Sequence, residues 1–177
     1  LQRILIAAAL VAEPRLLVLD RPLTEIDEES RPGILGTVRD HVRTVRGTAL
    51  IAEDPWLVDD ESFDAVVELG SHAGKMADGS FSSSGMPCGS FRGPSTPSGN
   101  LIRVEDLRFA YPGVGKVLDG ISFTLDRGDI AFITGPNGAG KTTLAKLLAG
   151  LLTPASGDMF LDGRPYCRMN AGEIASK

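Results

Sequence analysis

Ile130-Ala131-Phe132-Ile133-Thr134-Gly135-Pro136-Asn137-Gly138-Ala139-Gly140-Lys141-Thr142-Thr143 is the stretch that decides how this chain folds. Gly135 to Thr142 fits G-x-x-x-x-G-K-[ST], a loop that holds a nucleotide's phosphates. Glycines let the backbone turn until several N–H groups converge on one anion. The loop then opens a helix, whose amino end is partly positive and has unpaired donors. Lys141 can reach the β- and γ-phosphates and the Thr142 hydroxyl can ligate Mg²⁺, with Thr143 beside it as a further nucleotide-binding position. The flanks agree with this reading. Ile130 to Ile133 read as a buried strand, and Leu144, Leu147, Leu148 and Leu151 follow at helical spacing. A glycine-rich turn that binds nothing is the alternative, but such a turn has no use for the Lys-Thr pair.

The 177 residues suffice for one ordinary domain or two incomplete ones, and 42% apolar content allows a packed core. A net charge of −5 argues against nucleic acid as the main partner. The two cysteines, Cys88 and Cys167, form no C-x-x-C pair and are expected to be free thiols in a reducing cytosol. His41 and His72 lack ligand-like neighbours and are expected at the surface. The longest apolar run, Ile4 to Ala12, is far shorter than the roughly 20 residues that span a bilayer, and no signal peptide precedes it. Any membrane role is therefore expected to come through a partner. The chain begins at Leu1 rather than Met, as a fragment or processed segment would.

Along the chain, residues 1–13 read as a helix with Leu1, Ile4, Leu5, Ala8 and Val11 on its packed side, stopped by Pro14. Leu16 to Leu19 read as a short buried strand ending in Asp20. Ile34, Leu35, Val38, Val42 and Val45 mark a second amphipathic helix, with Arg39, Arg43 and Arg46 on its solvated face. Thr48 to Ala52 is another apolar strand, and Phe63 to Leu69 an edge or hairpin strand among acidic residues. Residues 80–100 are rich in Ser, Gly and Pro and read as a flexible linker. Leu101 to Val104 and Ile121 to Leu125 then look like strands of a hairpin-rich sheet, with turn signals at Asp119-Gly120 and Arg127-Gly128-Asp129. Pro154 to Gly157 is a turn, and Met159 to Leu161 a last short strand.

A phosphate loop that supports hydrolysis needs an aspartate at the end of a buried strand to hold Mg²⁺. Asp20 has that form, but it precedes the loop in sequence, the reverse of one complete nucleotide domain. The residues here resemble the ATP-binding cassette (ABC) family. Gln2 to Leu10 and Glu13 to Asp20 look like the second half of a cassette, starting just after that family's signature loop, and Leu101 to Tyr166 resembles the first half of another. The resemblance implies an α/β P-loop fold in two incomplete halves: 1–79 from the end of one cassette, 80–100 as linker, 101–177 from the start of the next. It implies a tandem protein similar to the dual ATPases of energy-coupling-factor and cobalt-type importers.

What the family does is then expected of the intact protein: ATP binding, Mg²⁺-dependent hydrolysis, and power for transport through permease subunits on the inner face of the cell membrane, with a second cassette as partner. By resemblance Tyr111 stacks on adenine, Asp20 is the metal-site aspartate, and Asp27 faces the opposite nucleotide in a cassette dimer. Two positions depart from the family. Arg21 stands where a glutamate polarises water, and arginine accepts no proton. Glu53 stands where a histidine contacts the γ-phosphate, and a carboxylate there would repel it. Neutral drift on a surface is the alternative at each. The expected outcome is a degenerate first site, which leaves two further readings open: a nucleotide-binding module without turnover, or a soluble ABC ATPase without a membrane partner. Each half lacks what the other supplies, so the two can dock as a permuted single cassette that brings the Asp20 carboxylate towards Thr142.

Overall fold

The computed structural model describes residues 2–57, 63–70, 89–92, 100–113 and 115–175. Its centre is a pair of fully buried strands, β2 (Thr48–Ala52) and β7 (Ile130–Thr134), paired in parallel with Leu50 opposite Ala131. A strand buried on both faces must be largely apolar, as these are apart from Thr48 and Thr134 at their ends, because successive side chains point to opposite sides. Leu50, Ala52, Ala131 and Ile133 face one core, whereas Ala49, Ile51 and Ile130 face another.

Around this pair the sheet runs in the order β1-β2-β7-β3-β4. β1 (Leu16–Asp20) is parallel to β2, β3 (Ala65–Leu69) is parallel to β7, and β4 (Gly89–Arg92) is antiparallel to β3. The two sequence stretches therefore share one sheet, and the strand before the phosphate loop lies between β2 and β3. The halves do dock. Two expectations are corrected. β3 is not an edge strand, since β7 and β4 pair with its two sides, although its antiparallel pairing with β4, the next strand, is the hairpin alternative. The stretch read as linker contributes β4, whose backbone extends the sheet although its Ser- and Gly-rich surroundings suggest no strand. His72, Cys88 and the remainder of 71–88 and 93–99 lie outside the described residues.

One face of the sheet is covered by α1 (Gln2–Val11) and α2 (Arg31–Val45), which insert Ile6, Val38 and Val42. The expected packed side of α1 is wrong. Ile4, Leu5 and Val11 are 70%, 59% and 83% exposed, and Ile6 packs instead, with Ala9 and Leu10. The helix is apolar nearly all round, so Ile6, Ala9 and Leu10 form a stripe as regular as the predicted one and periodicity cannot choose between them. On α2, Arg43 is exposed, 4.0 Å from Asp64. His41 is half-buried rather than exposed, because α2 turns it inward enough to cover Nε2.

The other face receives α3 (Lys141–Leu148), through Leu144, Leu147 and Leu148, and a four-stranded antiparallel sheet ordered β6-β5-β8-β9. Its strands are β5 (Asn100–Tyr111), β6 (Gly115–Asp126), β8 (Ser156–Leu161) and β9 (Arg164–Pro165). A short helix, α4 (Ala171–Ala175), follows. Leu151 lies beyond α3 and is 67% exposed, contrary to its helical spacing, because the helix ends at Leu148. Asp119-Gly120 is not a turn. The pairing passes from Leu107–Ile121 to Arg108–Asp119, leaving Gly120, with φ 79°, as an extra residue that bulges from β6. Met159 to Leu161 is not the last strand, since β9 pairs back on β8 after the Asp162-Gly163 turn.

Candidate functional site

The phosphate loop leaves β7 at Thr134 and ends where α3 begins, at Lys141. Gly135, Gly138 and Gly140 have φ of 146°, 83° and 99°, a backbone region that side chains strain. A Cβ on Gly135 would run into the Leu69 carbonyl of β3, and one on Gly140 would lie 2.7 Å from Leu118 Cδ2. At Gly138 nothing lies within 4 Å of that position. No side chain caps the first turn of α3, which leaves its amides for another acceptor.

Lys141 is 6% exposed. Its Nζ donates to the Gly135 carbonyl at 2.6 Å, to Asp54 Oδ1 at 3.0 Å and, more weakly, to the Pro136 carbonyl at 3.5 Å. Asp54 follows β2 and lies 87 residues from Lys141 in sequence, so no local spacing announces the pair. Thr142 Oγ1 donates to Asp20 Oδ1 at 3.2 Å. The carboxylate at the end of β1 and the hydroxyl at the start of α3 thus meet across the shared sheet, as the docking expectation requires. Both are hard oxygen donors, a set that suits Mg²⁺.

Tyr111 ends β5 with its ring edge-on to Phe109, centroids 4.9 Å apart at 85°. Its hydroxyl lies 3.5 Å from the buried Thr143 Oγ1. Tyr111, Arg21 and Val117 border a cavity of about 270 Å³ with loop residues Pro136, Gly138, Gly140 and Lys141 to Thr143. Gly135 and Ala139 are buried behind the loop, and Asn137 is exposed at its tip. A larger cavity of about 470 Å³ lies between the end of α3, β8 and α4. It is lined mainly by groups such as Leu152, Met159 and Met169, carries Asp158 but no cation, and so does not suit phosphate.

Glu53 does not face the phosphate loop's cavity as a repelling carboxylate, nor is it a drifted surface residue. It is 0% exposed. Its Oε2 accepts the Leu23 amide at 2.8 Å, and its Oε1 accepts the Thr24 hydroxyl at 3.1 Å and the Asp54 amide at 3.2 Å. The side chain turns away from the loop because three donors of the β1 and β2 exits point at it. Asp27 is ion-paired with Arg3, and its carboxyl is held below the usual range by a hydrogen bond with Ser30 and by Arg3. Cys167 is an exposed free thiol, as expected. Among the described residues, no cluster of three or more His, Cys, Asp or Glu side chains is arranged to hold a metal, and no helix is long and apolar enough to cross a membrane.

Known proteins are similar to this chain over its second stretch and, in some cases, over most of its length. Residues 118–176 match the family model described as ABC transporter. An uncharacterized ABC transporter ATP-binding protein of Mycobacterium tuberculosis is 32% identical over 169 residues, 93% of this chain and 24% of its own length. The mycobactin import ATP-binding/permease protein IrtB of Mycolicibacterium thermoresistibile is 49% identical over 78 residues, 44% of this chain and 13% of its own length. The chain thus spans about a quarter or less of these two relatives. The solved structure of cbiO1 from Clostridium perfringens, part of the ABC transporter complex cbiONQ, is 33% identical with a TM-score of 0.40 and covers 44% of this chain and 32% of its own. Residues 118–176 are thus similar to the ABC transporter family, and the relatives that this chain matches are named for ATP binding.

Proposed function

We propose that this chain binds Mg-ATP in the cavity between Tyr111 and the phosphate loop, and that the protein it represents hydrolyses ATP to drive transport. The observation that carries the reading is the contact between Thr142 Oγ1 and Asp20 Oδ1, two residues 122 positions apart that a nucleotide site requires side by side. Loop amides and the Lys141 ammonium would hold the outer phosphates, the ammonium exchanging Asp54 for phosphate oxygen. Thr142 and Asp20 would hold Mg²⁺, which neutralises charge on the phosphates when bound. Tyr111 would stack on the base, a contact of about 1–2 kcal/mol by analogy with aromatic pairs.

The domain reading belongs to the same proposal: 1–79 ends one cassette, 80–100 links, and 101–177 begins the next. The Mycobacterium tuberculosis relative supports it, because one match runs through 93% of the chain, both stretches in the same order. In such a tandem protein Asp20 would serve the first cassette's own loop, and permease subunits and a second cassette would be the partners at the membrane's inner face. A second reading, binding without turnover, is favoured by Arg21, which lines the cavity where a water-activating carboxylate is expected.

Calorimetry with Mg-ATP on the wild-type chain and Lys141→Ala tests binding. Heat of association that the substitution abolishes supports the site, and no heat from folded wild-type protein refutes it. Steady phosphate release, lost in Lys141→Ala, would exclude the reading without turnover. Co-purification of the full-length protein with a multi-span membrane protein tests the transport assignment.

A further inference from the structure

We propose that Arg21 reads the terminal phosphate of this site and makes it selective for a nucleoside triphosphate over the diphosphate. The inference rests on the nucleotide-binding reading above and goes beyond it, because Arg21 has so far appeared only as a group that cannot activate water.

Among the described residues, two cations line the cavity, Arg21 and Lys141. They differ in what already holds them. The Lys141 ammonium is buried, ion-paired with Asp54 at 3.0 Å and hydrogen-bonded to the Gly135 carbonyl. A phosphate that reaches it replaces one anion with another, so much of the electrostatic gain is spent in displacing Asp54. The Arg21 guanidinium has no hydrogen bond or ion pair to any described residue, and the neighbouring carboxylate of Asp20 is engaged by Thr142. An anion entering the cavity meets, at Arg21, a guanidinium that no described carboxylate is bonded to.

The backbone at Arg21 is not an idle surface turn. Its φ of 52° lies in the left-handed region that a long side chain rarely adopts. Two contacts hold it there: the Arg21 amide donates to the Ala52 carbonyl at 2.8 Å, and Gln2 Nε2 donates to the Arg21 carbonyl at 3.1 Å. A strained conformation persists only where its surroundings fix it, and here it sets the root of the side chain on the cavity rim.

Arg21 directly follows the carboxylate that meets Thr142, and that pair would hold the Mg²⁺ that neutralises charge on the outer phosphates. The guanidinium therefore lies on the outer-phosphate side. Its planar fork suits two phosphate oxygens at once. A diphosphate lacks the group it would grip, so the contact falls in the triphosphate complex alone.

The experiment measures Mg-ATP and Mg-ADP affinity calorimetrically for the wild-type chain, Arg21→Ala, Arg21→Gly and Arg21→Lys. Glycine accepts the left-handed backbone, so agreement between Arg21→Gly and Arg21→Ala separates loss of the guanidinium from backbone strain. Both are expected to weaken Mg-ATP binding about tenfold, the scale of one charge-assisted hydrogen bond. Both should leave Mg-ADP within about twofold, with Arg21→Lys between them and wild type. Equal loss for both nucleotides, no loss for either, or a loss in Arg21→Ala alone would overturn the proposal while leaving the nucleotide site standing. Failure of the wild-type chain to bind either nucleotide would overturn the site and this inference together.

Discussion

Replacing Glu53 with alanine is expected to destabilise the fold far more than its place in a loop suggests. The carboxylate is fully buried and satisfies the Leu23 amide, the Thr24 hydroxyl and the Asp54 amide. Leu23 is itself 0% exposed, so its amide cannot turn to water once the acceptor is gone. An orphaned buried N–H costs about 1–3 kcal/mol, and hydrogen bonds to a charged acceptor contribute about 1.5–3 kcal/mol each. Removing the buried charge returns part of this as relieved desolvation, so the net loss is about 3 kcal/mol. For a chain of this size that lowers Tm by about 6–12 °C. Glu53→Gln keeps one acceptor and the side-chain volume but turns an NH₂ towards a donor, so its loss is expected near 1 kcal/mol, roughly 2–4 °C. Glu53→His, which restores the family's residue, offers at most one acceptor nitrogen and should resemble alanine. Thermal unfolding followed by circular dichroism reads all three. A Glu53→Ala Tm within about 2 °C of wild type, or Glu53→His above wild type, would refute the claim that this carboxylate holds the loop after β1.

Three further outcomes are expected. Gly157→Ala should cost at least about 2 kcal/mol in urea unfolding, because φ is 88° and the new Cβ would collide with the Asp106 carbonyl. Burial, followed by the charges of Asp64 and Asp126, raises the Asp129 carboxyl above its ordinary range. Between the unfolded and the raised folded value the native state holds the extra proton, so this group's share of stability falls as pH rises through that window, and unfolding of Asp129→Asn at mildly acidic pH should show a flatter slope. Tyr111→Ala should weaken Mg-ATP binding by about 5- to 30-fold while Tyr111→Phe stays near wild type, if the ring rather than the hydroxyl meets the base.

What the sequence allowed to be read, and what it did not, divides along the range of the interactions. The strand-loop-helix around Gly135 and the strand ending in Asp20 are written in contiguous residues whose apolar runs and glycines act locally, and both stand where expected. The meeting of Thr142 and Asp20 was legible only because each half resembles the complement of the other. Side-chain direction was not. The partners of Glu53 include an amide 30 residues away, and the Lys141 ion pair spans 87, distances at which a linear pattern carries no sign of who meets whom. The face of α1 was misjudged because a helix apolar on all sides has no preferred stripe until a sheet is laid against it. Gly120 was misread because the residue that permits a turn also permits a bulge within a strand.

The place of β7 between β2 and β3 has a consequence for how residues 1–177 fold when they are made by themselves. Everything up to Leu69 emerges before the strand that joins its two parts, so the facing backbone edges of β2 and β3 wait, unsatisfied, until Ile130 to Thr134 appear. For this stretch made alone, vectorial folding from the amino end is therefore closed to this sheet. A nascent chain released early should be a client for chaperones that bind extended apolar segments, and two separately made pieces, broken between β3 and β5, should complement each other through that vacant slot.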